Sequence, residues 1–262
     1  MDYIKSAILG LVEGLTEFIP ISSTGHLIVV GNLLKFNGPE SSTFEIFIQL
    51  GAILAVCMIY RNSLLEMLKF KEEGFFGKRG ILLLSLTTLP ALILGVLAHK
   101  TIKEVLFNPT SVALALGVGG LAILLVEKFL PQTKKEDFNA LTWKDALVIG
   151  LFQCLAMWPG MSRSACTIIG ALLLGINRKT AVEYSFLAAI PVMFAATTYD
   201  LYKSWEFLSI AAVPTFTVGF GVAFISAWFA IKFFLKLVQT RTLTPFGWYR
   251  ICVAPVILFF SF

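Results

Sequence analysis

The sequence predicts an all-α polytopic membrane protein, with six transmembrane helices plus two re-entrant helical hairpins arranged as inverted-topology repeats. Three observations predict it: an apolar excess that a water-soluble interior could not hide, six apolar runs of spanning length, and two more apolar regions broken near their middles. Hydrophobic residues make up 57% of the 262-residue chain and charged ones 14%, with 24 Phe and a mean hydropathy of +0.84. Soluble domains carry about 25% charged residues. Lipid must therefore be the solvent for much of this chain.

The six runs cover roughly 44–60, 80–98, 111–130, 179–200, 209–233 and 246–262. Crossing the hydrocarbon takes about 20 apolar residues. The regions about 3–34 and 143–176 differ. Pro20-Ile-Ser22-Ser23-Thr24-Gly25 interrupts the first, and Pro159-Gly-Met-Ser162-Arg163-Ser164 the second. Each half is too short to span, so each region reads as a helix, a turn at membrane depth and a returning helix. Irregular backbone at that depth is tolerated where protein buries it or where it lines a wet cavity.

The two broken regions align on each other at a shift of 140 residues. Gly10 falls on Gly150, Leu11 on Leu151, Leu15 on Leu155, Ser22 on Ser162 and Leu33 on Leu173, while Glu13 falls on Gln153. The chain therefore reads as a single integral membrane domain over 1–262, built from repeat 1 at about 1–130 and repeat 2 at about 143–262. Three spans follow each hairpin. Three is odd, so the second unit must lie upside down relative to the first, which puts the shared site at the repeat interface near the midplane.

Charge placement orients the chain. Alternating through the spans, fourteen Lys and Arg, from Arg61 to Arg241, gather on one side, and Lys5, Lys35, Lys100, Lys103 and Lys203 on the other. The richer side is expected in the cytoplasm, so the first hairpin enters from outside. The net charge of +5 is thus an orientation signal rather than a nucleic-acid footprint. Cys57, Cys154, Cys166 and Cys252 lie in apolar runs without CxxC spacing and read as small buried hydrophobes. Glu13 and Glu17 stand where a cleavable signal peptide would be uncharged, so none is expected.

The breaks carry the chemistry. A spacing of four puts Glu13 and Glu17 on one helical face. Two adjacent carboxylates at depth need a shared proton or a cation, and hard oxygen ligands suit Mg²⁺ or Ca²⁺. Ser22, Ser23 and Thr24 line the first break at a helix N-terminus, an anion seat where a hydroxyl either caps the helix or takes part in the reaction. His26 follows in the first turn, a candidate base, acid or phosphate ligand. In the second break Arg163 offers a planar fork for phosphate or carboxylate, flanked by Ser162 and Ser164. Gln153 mirrors Glu13 as a further polar ligand. Glu45, Gln49 and Glu183 read as supporting or interfacial residues, and Arg250 as structural. Together these groups suit hydrolysis of a phosphate ester or diphosphate, with a metal and Arg163 meeting the phosphate charge.

At these residues a resemblance enters. Glu13-Gly-Leu-Thr-Glu17-Phe-Ile-Pro-Ile-Ser-Ser-Thr-Gly-His26 and Pro159-Gly-Met-Ser-Arg163-Ser resemble the two signature motifs of the bacterial undecaprenyl-diphosphate phosphatases of the bacitracin-resistance type. The likeness extends over essentially the whole chain, including Phe44-Glu45 to Leu54 and Glu183-Tyr-Ser-Phe-Leu. It implies hydrolysis of undecaprenyl diphosphate to the monophosphate carrier of peptidoglycan synthesis, bacitracin resistance, and residence in the cell inner (cytoplasmic) membrane with the site facing the periplasmic side. Carried over residue by residue, it implies metal-dependent catalysis at Glu13 and Glu17, and catalysis or phosphate binding at Ser23, Thr24, His26, Ser162 and Arg163. The expected partners are the lipid substrate and membrane lipids; a homodimer stays open, and no nucleic acid is expected. The rival class is a lipid-phosphate transporter or flippase, since inverted repeats and broken midplane helices also build transporters.

Overall fold

A computed structural model describes residues 2–36, 39–71, 74–203 and 212–260, and they are helical almost throughout. The helices are α1 (Tyr3–Thr16), α2 (Ser23–Leu33), α3 (Pro39–Ile59), α4 (Arg61–Leu68), α5 (Lys78–Leu106), α6 (Pro109–Lys128), α7 (Trp143–Leu155), α8 (Arg163–Leu173), α9 (Arg178–Lys203), α10 (Val213–Leu237) and α11 (Thr244–Phe260). Local chemistry starts several of them. The Asp2 carboxylate caps α1 at Ile4 N, Asn108 caps α6 ahead of Pro109, and Thr142 with Asp145 forms a reciprocal capping box on α7.

Among the described residues, Lys78–Ala98, Pro109–Lys128, Arg178–Asp200 and Val213–Leu237 are each long and apolar enough to cross a membrane. The predicted run 44–60 lies in α3, whose stretch Thr43–Ile59 passes that test together with α4, from which it is bent by 77°. The run 246–262 lies in α11, 17 residues long, with 261–262 outside the described residues. Residues 209–211 of the fifth run also lie outside the described residues, and 213–233 lie in α10. Four spans, or five with the bent pair, make this a multi-pass helical membrane protein.

Both predicted breaks are present. The halves α1 and α7 have 14 and 13 residues. At about 1.5 Å per residue such helices reach ~20 Å, short of the ~30 Å hydrocarbon core. The open ends of α7 and α8 return to one segment. Lys135 pairs with Asp145 in the first turn of α7, Nζ to Oδ1 2.5 Å, and Lys134 N and Lys135 N donate to Gly175 O just past α8 at 2.8 and 3.1 Å.

Packing comes in matching pairs: α1 on α10 and α7 on α5, α3 on α10 and α9 on α5, α2 against α11 and α8 against α6. The first pair depends on glycine at matching positions. A Cβ on Gly10 would meet Gly219 O at 2.3 Å, and one on Gly150 would meet Thr87 O at 2.7 Å. Small residues of this kind let helix backbones approach closely where lipid supplies no hydrophobic drive. Polarity is inverted relative to a soluble domain. Leu97, Val96, Leu82 and Leu121 are exposed, whereas Glu13, Gln153, Ser185 and Arg250 are buried.

Candidate active site

The first break begins where α1 stops at Thr16. Glu17 keeps helical backbone angles and its N–H donates to Glu13 O at 2.9 Å, so the two carboxylates stay one turn apart. The chain then turns through Phe18–Ile21 and enters α2 at Ser23. Ser22 precedes it with φ 70° and ψ 97°, a region that costs a non-glycine residue about 1–3 kcal/mol. That turn brings the Ser23 hydroxyl to Glu17, Oγ to Oε2 2.5 Å. It also brings the Ser22 carbonyl to His26 Nδ1 at 2.7 Å.

The second break repeats this geometry. Ser162 has φ 70° and ψ 115° and precedes α8, with its hydroxyl accepting from Ala165 N at 3.3 Å. Arg163 is the first residue of α8. Its guanidinium donates to Glu17 Oε1 at 3.4 Å and to Ser185 O at 3.1 Å, and it lies over the Phe18 ring. Ser164 Oγ donates to Ile19 O at 3.2 Å. The two tips therefore touch each other, and Arg163 of one reaches the carboxylate of the other.

Arg250 of α11 joins the tips from behind. It is fully buried and donates to four carbonyls: Pro20 O of the first tip (3.3 Å), Gly160 O of the second (3.0 Å), and Leu116 O and Ala115 O of α6 (both 3.2 Å). Its structural reading is sharpened to a clamp on the spacing of the two tips.

Between the tips lies a polar cleft of about 160 Å³, lined by Glu17, Ser22, Ser23, Thr24, Gln49, Ser162 and Arg163 among others. On the other side of the first tip, between α1, α10 and α11, lies an apolar cavity of about 600 Å³. Leu15, Ile19, Ile21, Phe229, Phe233 and Tyr249 are among its walls. Nucleophile-type hydroxyl, adjacent carboxylate and guanidinium fork converge on one small cleft, and Ile19 and Ile21 of the same tip line the apolar cavity.

The comparisons with known proteins decide the family. The family described as "Bacitracin resistance protein BacA" matches residues 6–256. This chain belongs to that family. Relatives named "Undecaprenyl-diphosphatase" are similar over nearly their full length. The one from Nitratidesulfovibrio vulgaris (strain DP4) is 54% identical, covering 99% of this chain and 98% of the relative. That from Maridesulfovibrio salexigens is 55% identical over 97% of each. One from Methylococcus capsulatus is 49% identical over 98% of this chain and 94% of its own length.

Within this BacA-family chain, the cleft is lined by Glu17, Ser22, Ser23, Thr24, Ser162 and Arg163 of the predicted set. Three predicted residues sit beside it. Ser164 spans to Ile19. Gln153 is buried against α5, with Nε2 donating to Thr87 O at 3.1 Å. His26 has its Nε2 2.7 Å from the Tyr249 hydroxyl. Glu13 is fully buried, and neither of its carboxylate oxygens has a hydrogen-bond partner. Such oxygens need a proton or a cation. That donor set fits a hard divalent ion held by Glu13 and Glu17. No grouping of three or more acidic, His or Cys side chains suited to a metal occurs among the described residues, so the other ligands would be phosphate oxygens and water. The sequence reading gave no role to Tyr249, Ser185 or Phe18, although Phe18 and Ser185 lie inside the stretches that carry the family resemblance.

Proposed function

We propose that this chain hydrolyses undecaprenyl diphosphate to undecaprenyl phosphate and inorganic phosphate, and so returns the lipid carrier for peptidoglycan synthesis. The observation that carries the reading is the Ser23–Glu17–Arg163 constellation in a polar cleft beside an apolar cavity. The names of the relatives supply the lipid; the geometry supports phosphoryl transfer from it.

The terminal phosphate sits in the cleft and the isoprenoid chain in the cavity. Ser23 Oγ attacks the terminal phosphorus and gives its proton to Glu17, already hydrogen-bonded to it. The bond from that phosphorus to the bridging oxygen breaks, and its electron pair leaves with the prenyl phosphate. Arg163 holds the developing negative charge through its fork. Glu17 passes the Ser23 proton to the departing prenyl phosphate; water then attacks the phosphoserine phosphorus, Glu17 takes the water's proton, and it returns this proton to Ser23 Oγ as the serine–phosphorus bond breaks. Ser22, Thr24 and Ser162 bind phosphate oxygens from the cleft walls. A divalent cation, Mg²⁺ or Ca²⁺, bound at Glu13 and Glu17 would supply charge neutralisation on the phosphates.

The same reading extends to topology: six spans and two re-entrant hairpins as inverted repeats in the cell inner membrane, the site opening to the outer side. The paired packing and the equal φ at Ser22 and Ser162 support the repeats. The return of α7 and α8 to one segment supports re-entry from the face that carries Lys134, Lys135 and Lys144. The test is phosphate release from undecaprenyl diphosphate by purified protein in detergent, where no two sides exist. Release supports the hydrolase. No release, together with lipid movement in proteoliposomes, would replace it with a transporter.

A further inference from the structure

Tyr249 is the one cavity-wall residue whose polar group bonds to a signature-motif side chain. Its hydroxyl lies 2.7 Å from His26 Nε2, across 223 positions of sequence, and the two rings are parallel within 1° at a centroid distance of 5.6 Å. The other ring nitrogen, Nδ1, lies 2.7 Å from Ser22 O. A carbonyl can only accept, so Nδ1 carries the hydrogen. In the neutral ring Nε2 then presents its lone pair, and the Tyr249 phenol donates to it.

Both partners stand on fixed ground. The Ser22 carbonyl is aimed by the left-handed backbone of the first tip. Tyr249 precedes Arg250, whose four carbonyl bonds tie α11 to both tips. With a bond on each nitrogen, the imidazole cannot rotate about its ring axis without losing one of them. The Tyr249 ring meanwhile forms part of the cavity wall with Ile19, Ile21 and Phe233. Ser23 bonds to Glu17 instead.

We infer that Tyr249 is a positioning residue: its phenol fixes His26 as the Nδ1–H tautomer and holds its Nε2 against the wall of the apolar cavity. The inference rests on the phosphatase reading above, in which His26 serves the reaction.

Tyr249→Phe removes the hydroxyl and keeps the ring, so the cavity wall stays. Phosphate-release kinetics on undecaprenyl diphosphate should show kcat about tenfold lower, the effect of one lost hydrogen bond, with KM within about twofold. The ¹⁵N-histidine spectrum, in which His26 is assigned by its loss in His26→Gln, should keep the Nδ1–H tautomer while the Nε2 resonance moves to that of an unbonded lone pair. The sequence has two histidines, which keeps the assignment simple. An unchanged kcat in Tyr249→Phe, or an unmoved Nε2 resonance, overturns the inference. Wild-type turnover in His26→Gln would instead sink the assignment of His26 on which it rests, whatever the spectrum shows.

Discussion

The Ser23 hydroxyl and the Glu17 carboxylate are 2.5 Å apart, six positions distant in sequence and on opposite sides of the break between α1 and α2. A hydroxyl donating to a carboxylate at that distance is arranged for proton transfer as the oxygen attacks. Ser23→Ala should therefore abolish phosphate release, and Glu17→Gln should lower kcat by about 10²–10⁴-fold. Labelled phosphate should be trapped on the wild-type protein and not on Ser23→Ala. Full activity in Ser23→Ala would leave water or His26 as the attacking group.

Arg163 reaches across from the second tip to Glu17 and to Ser185 O. Its Nε has no partner although buried, so the fork has a donor to spare for a phosphate. Arg163→Lys keeps the charge and loses the fork. We expect kcat/KM to fall by about 10–100-fold, the cost of one or two charge-assisted hydrogen bonds. Turnover within twofold of wild type would mean that the arginine is only an ion-pair partner.

Glu13 is buried with both oxygens unpartnered. Chelation with EDTA should silence phosphate release, and Mg²⁺ or Ca²⁺ should restore it. Glu13→Gln should remove that dependence together with the activity. Indifference of the wild-type rate to chelator would take the divalent ion out of the mechanism.

Gly160 has φ +97°, and a Cβ there would lie 2.4 Å from Val112 O, a backbone atom. Gly160→Ala should cost about 1–3 kcal/mol from the backbone conformation alone, with the clash added. It should also shift the carbonyl that Arg250 holds. Thermal unfolding in detergent should show a lowered Tm, and kcat should fall with it. An unchanged Tm would contradict the fit of the second tip against α6.

Arg250→Met removes a charge that touches no carboxylate and leaves the carbonyls of Pro20, Gly160, Ala115 and Leu116 without their donor. Each buried polar group so orphaned costs about 1–3 kcal/mol. The expected result is a larger loss of Tm than in Arg163→Lys, read on the same detergent melts.

Composition and period alone determined that the chain is helical and multi-pass, because lipid demands long apolar runs with every backbone group bonded within the helix. Local signals also determined where the two hairpins break and that Glu13 and Glu17 share a face, since Pro, Gly and a spacing of four act within a few residues. The shift of 140 foresaw that Ser22 and Ser162 match, and they share φ 70°. Distance in sequence set the limit. Tertiary structure alone decided that Arg163 meets Glu17, that the Gln153 amide bonds to Thr87 O, and that Arg250 clamps both tips. It also decided that His26 bonds to Tyr249 while Ser23 bonds to Glu17. Those are contacts between helices, fixed by which glycine lets two backbones close and which carbonyl lies free, and no pattern within a single run records them.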